Sequence, residues 1–340
     1  MRWDVFCQVI DNYGDIGVCW RLAADLGARG HAVRLWIDDA SALDWMAPEG
    51  AHGVSVRAWQ ESAHEADPGD VVVEAFGCTL PDAFIARMAA RTPPPRWINL
   101  EYLSAEPYVE RSHRLPSPQW HGVGRGLTKW FFYPGFTPAT GGLLREPALM
   151  DELARFDRDT WLRTHGITPR DDERLVSVFA YDNPCFEALA DSLGYAPTLL
   201  LLTAGRRPPA VLPARVRCQS LPYLTQAGYD RLLWSCDLNF VRGEDSFVRA
   251  QWAGKPFVWQ IYPQEDGAHA AKLDAFLDRF PGVPGLRALW HGWNGLGPWP
   301  DALPDPLSSA WTTPCLRWRD GLLAQPDLTT QLEGFVTEAG

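Results

Sequence analysis

No stretch of the sequence is apolar over the length that a bilayer crossing needs, and no C-x-x-C pair occurs among its seven cysteines. Basic residues are scarce as well: 31 Lys and Arg stand against 42 Asp and Glu, for a net charge of −11. A chain of that balance lacks the clustered cations required for sequence-independent binding to a phosphate backbone, so no nucleic-acid partner is expected. Met1 to Asp11 carries acids at Asp4 and Asp11 and has none of the apolar run of a secretory signal. A cytoplasmic protein with no membrane partner is the expectation. The cysteines (Cys7, Cys19, Cys78, Cys185, Cys218, Cys236 and Cys315) are scattered, mostly in apolar stretches. They read as plain buried thiols, neither disulfides nor zinc ligands. The G-x-G-x-x-G order is missing too, although Gly14 and Gly17 are close together. An NAD-binding reading is therefore disfavoured.

What is present suits a globular protein: 46% apolar and 21% charged residues over 340 positions. That length exceeds the usual size of one hydrophobic core, and two α/β domains are expected. Tryptophan is abundant at 17 residues. Aromatics can line sugar or base sites, but most large rings pack cores.

Strand-like and helix-like runs alternate. Trp3 to Ile10, His31 to Ile37, Val71 to Ala75 and Trp97 to Tyr102 read as strands, with helices over Val18 to Arg29 and Leu80 to Ala90. Glu101 to Glu146 reads as a long Pro-, Gly- and Trp-rich loop. A second series has strands at Leu175 to Tyr181, Thr198 to Leu202, Leu238 to Val241 and Pro256 to Ile261. Its helices are Cys185 to Leu193, Leu224 to Cys236, Asp245 to Ala253 and His269 to Phe280. Gly282 to Pro306 reads as an insertion. The alternation implies parallel sheets with right-handed crossovers. The charged linker Arg170 to Arg174 places the boundary between residues 1–170 and 171–326, with the tail 327–340 expected to pack back on the first domain. Two doubly wound, Rossmann-like domains facing each other across a cleft, with ligands at the carboxyl ends of the strands, is the expected architecture.

Two loops stand out. In the second domain a strand ends at Arg242-Gly243, and Glu244-Asp245-Ser246 leads directly into a helix. The first N–H groups of a helix lack intrahelical partners and its dipole favours negative charge, so this turn suits a diphosphate. Ser246 offers a hydroxyl and Arg242 a fixed cation. Phe179 and Tyr181, at a strand end, and Tyr223, Gln226 and Tyr229, around a helix start, are candidate stacking faces and an amide partner for a base. In the first domain Asp11-Asn12-Tyr13-Gly14-Asp15 follows the first strand, with glycines for a tight turn and two carboxylates at the strand edge. Asp15 as a mere helix cap is the plainer alternative. Asp38-Asp39 reads as surface acids, and no D-x-D metal motif accompanies it. No metal is expected, which leaves backbone donors and Arg242 to stabilise a leaving diphosphate.

Longer strings carry a family resemblance. DNYGDIGVCWRLA at Asp11 to Ala23, NLEYLSAE at Asn99 to Glu106, LPSPQ at Leu115 to Gln119, WFFYPGF at Trp130 to Phe136, TGGLLRE at Thr140 to Glu146 and VRGEDSFVRAQWAGKPFVWQIYPQ at Val241 to Gln264 resemble the EarP family. These are the elongation factor P arginine rhamnosyltransferases, and the resemblance spans nearly the whole chain. It implies a GT-B fold, dTDP-β-L-rhamnose as donor and no cofactor. It also implies elongation factor P as the acceptor, activated by inverting transfer to the guanidino nitrogen of one arginine. By position, Asp15 resembles the general base, Asp11 its supporting carboxylate and Glu244 the second catalytic acid. Asn12, Tyr13, Gly14 and Asp15, with Arg242, Gly243, Glu244, Asp245 and Ser246, match donor-binding strings; Tyr181 and Gln226 are further contacts. Tyr223 and Tyr229 stand where phenylalanines are expected.

Two other readings remain open at this point: a metal-independent GT-B transferase with a different donor or acceptor, and a non-catalytic sugar-nucleotide-binding protein. Three acids, Asp11, Asp15 and Glu244, beside a diphosphate turn weigh against the second.

Overall fold

The computed structural model describes residues 1–11, 13–64, 67–264 and 267–338. The chain divides into two units, Met1–Glu146 together with Ala324–Gly340, and Pro147–Leu323.

The first unit is built on seven strands: β1 (Arg2–Cys7), β2 (Ala32–Ile37), β3 (Val54–Ala58), β4 (Val71–Ala75), β5 (Arg96–Leu100), β6 (Pro116–Pro118) and β7 (Thr128–Phe132). Their order is β3-β2-β1-β4-β5-β7-β6. All neighbours are parallel except β6, which pairs antiparallel with β7. β4 is buried at every position. That is the signature of an inner parallel strand covered on both faces, and it explains the apolar run Val71–Val73; Glu74, buried as well, is paired with Lys129. β6 carries two prolines, which an edge strand tolerates. The long loop expected over Glu101 to Glu146 therefore contains two strands and a short helix, Tyr108–Ser112. The helix Gly14–Ala28 buries Ile16, Cys19, Leu22, Ala23 and Leu26 in the core.

The tail returns to this unit. Asp327 caps the helix Leu328–Thr337 by accepting the Thr330 N–H at 2.9 Å, and Leu328, Leu332 and Phe335 join the core. Arg29 locks it there, pairing with Asp327 and Glu333 at 2.8 Å each and with Asp25 at 3.1 Å.

The second unit has a five-stranded parallel sheet: β8 (Arg174–Val178), β9 (Thr198–Leu202), β10 (Val216–Ser220), β11 (Leu238–Arg242) and β12 (Phe257–Gln260), in the order β10-β9-β8-β11-β12. The domain boundary lies at 146/147, not at 170/171. The cause is packing: the helix Arg158–Thr164 and the turn after it place Trp161, Leu162 and Ile167 in one cluster with Leu175, Leu199 and Leu232. Arg158 Nε also donates to Ser235 O at 2.7 Å. The unit ends at Leu323, three residues before the expected 326. The supposed insertion 282–306 contains the helix Leu286–Trp293, whose Trp290 stacks on Phe276 at 5.5 Å. Trp3, Trp36, Trp290, Trp293 and Trp311 are fully buried, so these five tryptophans serve the cores. The seven cysteines are all free, five of them buried.

Candidate active site

Each sheet reverses its winding at one point, between β1 and β4 in the first unit and between β8 and β11 in the second. Ligands of doubly wound folds bind outside the carboxyl ends of the strands at such reversals. The loop 11–15 follows β1, and the turn 242–246 follows β11. The topology thus puts both candidate loops at switch points.

In the first unit Asp15 is 2% exposed. Its Oδ2 accepts the N–H groups of Ile10 and Asp11, both at 2.9 Å, which folds the loop back onto the helix start. Its Oδ1 accepts the Tyr102 hydroxyl at 3.2 Å. Burial pushes the Asp15 carboxyl above the ordinary carboxylate range, and the Asp11 charge adds to the rise. The three hydrogen bonds pull the other way. Asp15 is thus both the brace of its loop and a carboxyl with raised proton affinity, as a general base requires. The Gly14 N–H donates to Asp11 O at 3.0 Å, closing the turn. Tyr13 sits at the N-cap with its ring edge-on to Trp45 at 5.2 Å. Asn12 lies outside the described residues. Asp38 Oδ1 accepts the N–H groups of Val9 and Asp39, so this acid ties the loop after β2 to the loop after β1.

The Tyr102 ring stacks on Phe76 with centroids 4.3 Å apart and planes 14° apart. Phe76 has φ +59°, an uncommon conformation for a bulky residue that costs on the order of 1–3 kcal/mol. Nearby, Tyr108 and Tyr133 meet edge to plane at 5.8 Å. Burial raises both phenols, with Glu106 and Glu101 contributing for Tyr108 and Glu101 for Tyr133, which is pushed up to about 12.

In the second unit the Arg242 guanidinium lies 4.4 Å from the ring centroids of both Phe179 and Tyr181. Gly243 follows with φ +65°, a conformation that favours glycine, and its carbonyl accepts Trp259 Nε1 at 2.8 Å. Glu244 occupies the N-cap of the helix Asp245–Ala253 without a side-chain capping bond. Ser246 differs from expectation. It is buried, and its hydroxyl bonds to the Arg242 carbonyl while accepting the Arg242 N–H at 3.1 Å. The hydroxyl is consumed in closing the turn and is not presented as a donor to a ligand. Tyr229 differs too: its ring packs edge-on against Phe179 at 5.5 Å and its hydroxyl is buried. Burial drives that phenol's pKa far up. Tyr229 supports Phe179 instead of offering a face of its own. Tyr223 is half exposed, and Gln226 opens the helix Gln226–Ser235.

Three residues here escaped the sequence reading. Gln260 Oε1 accepts the Tyr181 N–H at 2.8 Å, fixing the ring that flanks Arg242. Arg206 donates to Tyr181 O at 2.8 Å and lies 4.2 Å from the Phe186 ring centroid. Burial lowers the Arg206 pKa, with the like charge of Arg242 acting in the same sense and Asp182 opposing. Two guanidiniums thus gather around Tyr181 beside a helix N-terminus, an arrangement chemically able to hold a multiply charged anion. Tyr102 is the third. A cationic residue in the loop after β9 was the available signal for Arg206; nothing local marks Gln260 or Tyr102.

Residues 3–337 match the family described as Elongation-Factor P (EF-P) rhamnosyltransferase EarP. The protein-arginine rhamnosyltransferase of Pseudomonas aeruginosa is 44% identical, with 99% of each chain covered. A structure solved for the structural basis of EarP-mediated arginine glycosylation of translation elongation factor EF-P is 31% identical, at a TM-score of 0.64 over 100% of this chain and 99% of that one. The spinosyn rhamnosyltransferase SpnG, 14% identical with a TM-score of 0.55 over 98% of this chain and 99% of its own, shares the GT-B fold.

Proposed function

Since the chain belongs to the EarP family of protein-arginine rhamnosyltransferases, we propose that it moves L-rhamnose from dTDP-β-L-rhamnose to one arginine of elongation factor P. The observation that carries the donor half is the cradle of Arg242 and Arg206 around Tyr181, at the start of the helix Asp245–Ala253. Fixed cations and backbone dipoles there stabilise the charge that builds on a departing nucleoside diphosphate. In this reading they do so without a metal ion. Phe179, Tyr181 and Tyr223 supply aromatic surface for the thymine and sugar, and Gln226 an amide partner for the base.

The acceptor half rests on Asp15. A guanidinium stays protonated at neutral pH and its lone pairs are delocalised, so it is a poor nucleophile. A carboxylate of raised proton affinity answers both needs: it localises the charge on one nitrogen and takes a proton as the bond to the anomeric carbon forms. In the balanced step the arginine nitrogen forms the bond to carbon 1 of rhamnose and the bond from that carbon to the phosphate oxygen breaks. dTDP leaves with the electron pair, and the nitrogen's proton passes to Asp15. Attack opposite the leaving group inverts the β-linkage to α. Asp11 supports Asp15, and Glu244 serves as the second acid. An acceptor that is a translation factor places the enzyme in the cytoplasm.

The test is an intact mass of unmodified elongation factor P after incubation with the protein and dTDP-β-L-rhamnose. A gain of one deoxyhexose, located on an arginine by fragmentation, is the expected result. No gain in the presence of bound dTDP returns the acceptor to unknown.

A further inference from the structure

Asp15 is held from two directions. Its own loop grips Oδ2 through Ile10 and Asp11, while Oδ1 is reached by Tyr102, 87 residues away on the segment leaving β5. The tyrosine ring is itself fixed by its stack on Phe76. Phe76 sits at φ +59° and Gly77 after it at φ +70°. Glycine would take the first position without steric cost, yet the chain carries an aromatic there. The Phe76 N–H donates at 2.7 Å to Leu100 O, the last residue of β5 and two positions before Tyr102. The strained residue is thus tied to the strand that delivers the tyrosine, and its ring faces the tyrosine ring.

We infer that Tyr102 is the positioning residue of Asp15 and that Phe76 is its brace, the stack fixing the phenol and the phenol fixing the plane of the carboxylate. This rests on Asp15 as the base and adds the device that aims it. Oδ2 is occupied by two N–H donors. Oδ1 has two lone pairs, of which Tyr102 takes one, and the other is left to receive the acceptor's proton. A phenol that donates to the anion also keeps a buried carboxylate ionised and ready. The titratable groups facing Asp15 are Asp11 in its loop, Tyr102 from the β5 side and Cys19 on its own helix. Tyr102 is the one among them that favours the ionised form.

The test follows the Asp15 side-chain carbon by 13C NMR, its signal identified by loss in Asp15→Asn. Titrations of the wild-type protein, Tyr102→Phe and Phe76→Gly are compared. Tyr102→Phe keeps the stack and deletes the donor, and its midpoint is expected to rise by about one pH unit. The acid limb of the transfer rate moves up with it, while dTDP affinity stays unchanged. Phe76→Gly relieves the backbone and frees the tyrosine ring but also removes a buried core ring, so the midpoint rises together with a net loss of thermal stability. Equal midpoints in the wild-type protein and Tyr102→Phe overturn the inference. Because the titration needs no turnover, that outcome is separate from a failure of rhamnose transfer, which would sink the proposed reaction alone.

Discussion

A Cβ built on Gly14 would stand 2.5 Å from Asp11 Oδ2, closer than any real side chain allows. The atom in the way is the end of a side chain that can turn, so the backbone has no need to move. Gly14 is also the first residue of its helix and does not have positive φ, so its backbone accepts alanine. Gly14→Ala is therefore expected to fold as well as the wild type while swinging the Asp11 carboxylate away. Displacements of that order cost up to about 10²-fold in rate. Steady-state kinetics beside a melting curve decides it: wild-type kcat in a folded Gly14→Ala would remove Asp11 from the machinery.

Asp15→Asn should separate stability from activity. Burial holds the folded-state pKa of Asp15 above its unfolded value. A group of that kind lends its full stability below the unfolded pKa and loses it as pH rises through the folded one. At neutral pH the ionised Asp15 thus weakens the fold. Asparagine keeps an oxygen for the Ile10 and Asp11 N–H groups. The variant is expected to melt higher at pH 7, with the gain shrinking toward acid pH, and to transfer rhamnose about 10²–10⁴-fold more slowly. Wild-type turnover would remove Asp15 as base. A lower melting temperature would show that its hydrogen bonds outweigh its desolvation.

The guanidiniums of the second unit should read out the diphosphate and not the nucleoside. Removing one charged hydrogen-bonding partner of a phosphate costs about 10- to 100-fold in affinity. Arg242→Ala and Arg206→Ala are each expected to weaken dTDP by that range in calorimetry and to leave thymidine unaffected. Arg242→Lys should recover little, because a lysine cannot spread a flat cation between the rings of Phe179 and Tyr181. Equal losses for dTDP and thymidine would mean that the arginines shape the pocket without touching phosphate.

These residues differ in how much of them a reader of the sequence can see. The Asp245–Ala253 helix and the strand Thr198–Leu202 appear at the expected bounds because period and composition agree locally. β3 (VSVRA) and β10 (VRCQS) are edge strands with exposed or half-exposed polar positions, and their mixed pattern does not announce a strand. The contacts of Tyr102, Gln260 and Arg206 at the two sites span 87, 79 and 25 residues. Such pairs are set by sheet order, which periodicity does not encode. The Ser246 hydroxyl misled for the opposite reason: a helix-start serine looks like a ligand donor until the turn is seen to use it.

The buried pair Asp230–Arg249 offers a last test, of how the donor turn is held. Arg249 Nε donates to Asp230 Oδ1 at 2.9 Å and Nη2 to Oδ2 at 2.8 Å, with both side chains almost wholly enclosed. The bond joins the helix that begins at Gln226 to the helix that begins at Asp245. Arg249→Met alone takes the bidentate guanidinium from a buried carboxylate and is expected to cost about 3–5 kcal/mol in chemical denaturation. Adding Asp230→Leu removes the buried charge and should restore most of that loss, since two apolar side chains avoid the desolvation of two ions. If the pair also sets the register of the two helix starts, the restored double variant will still bind dTDP more weakly than the wild type. Full recovery of both stability and affinity would make the pair dispensable to the site. A double variant no more stable than Arg249→Met would show that shape, and not charge, is what the pair supplies.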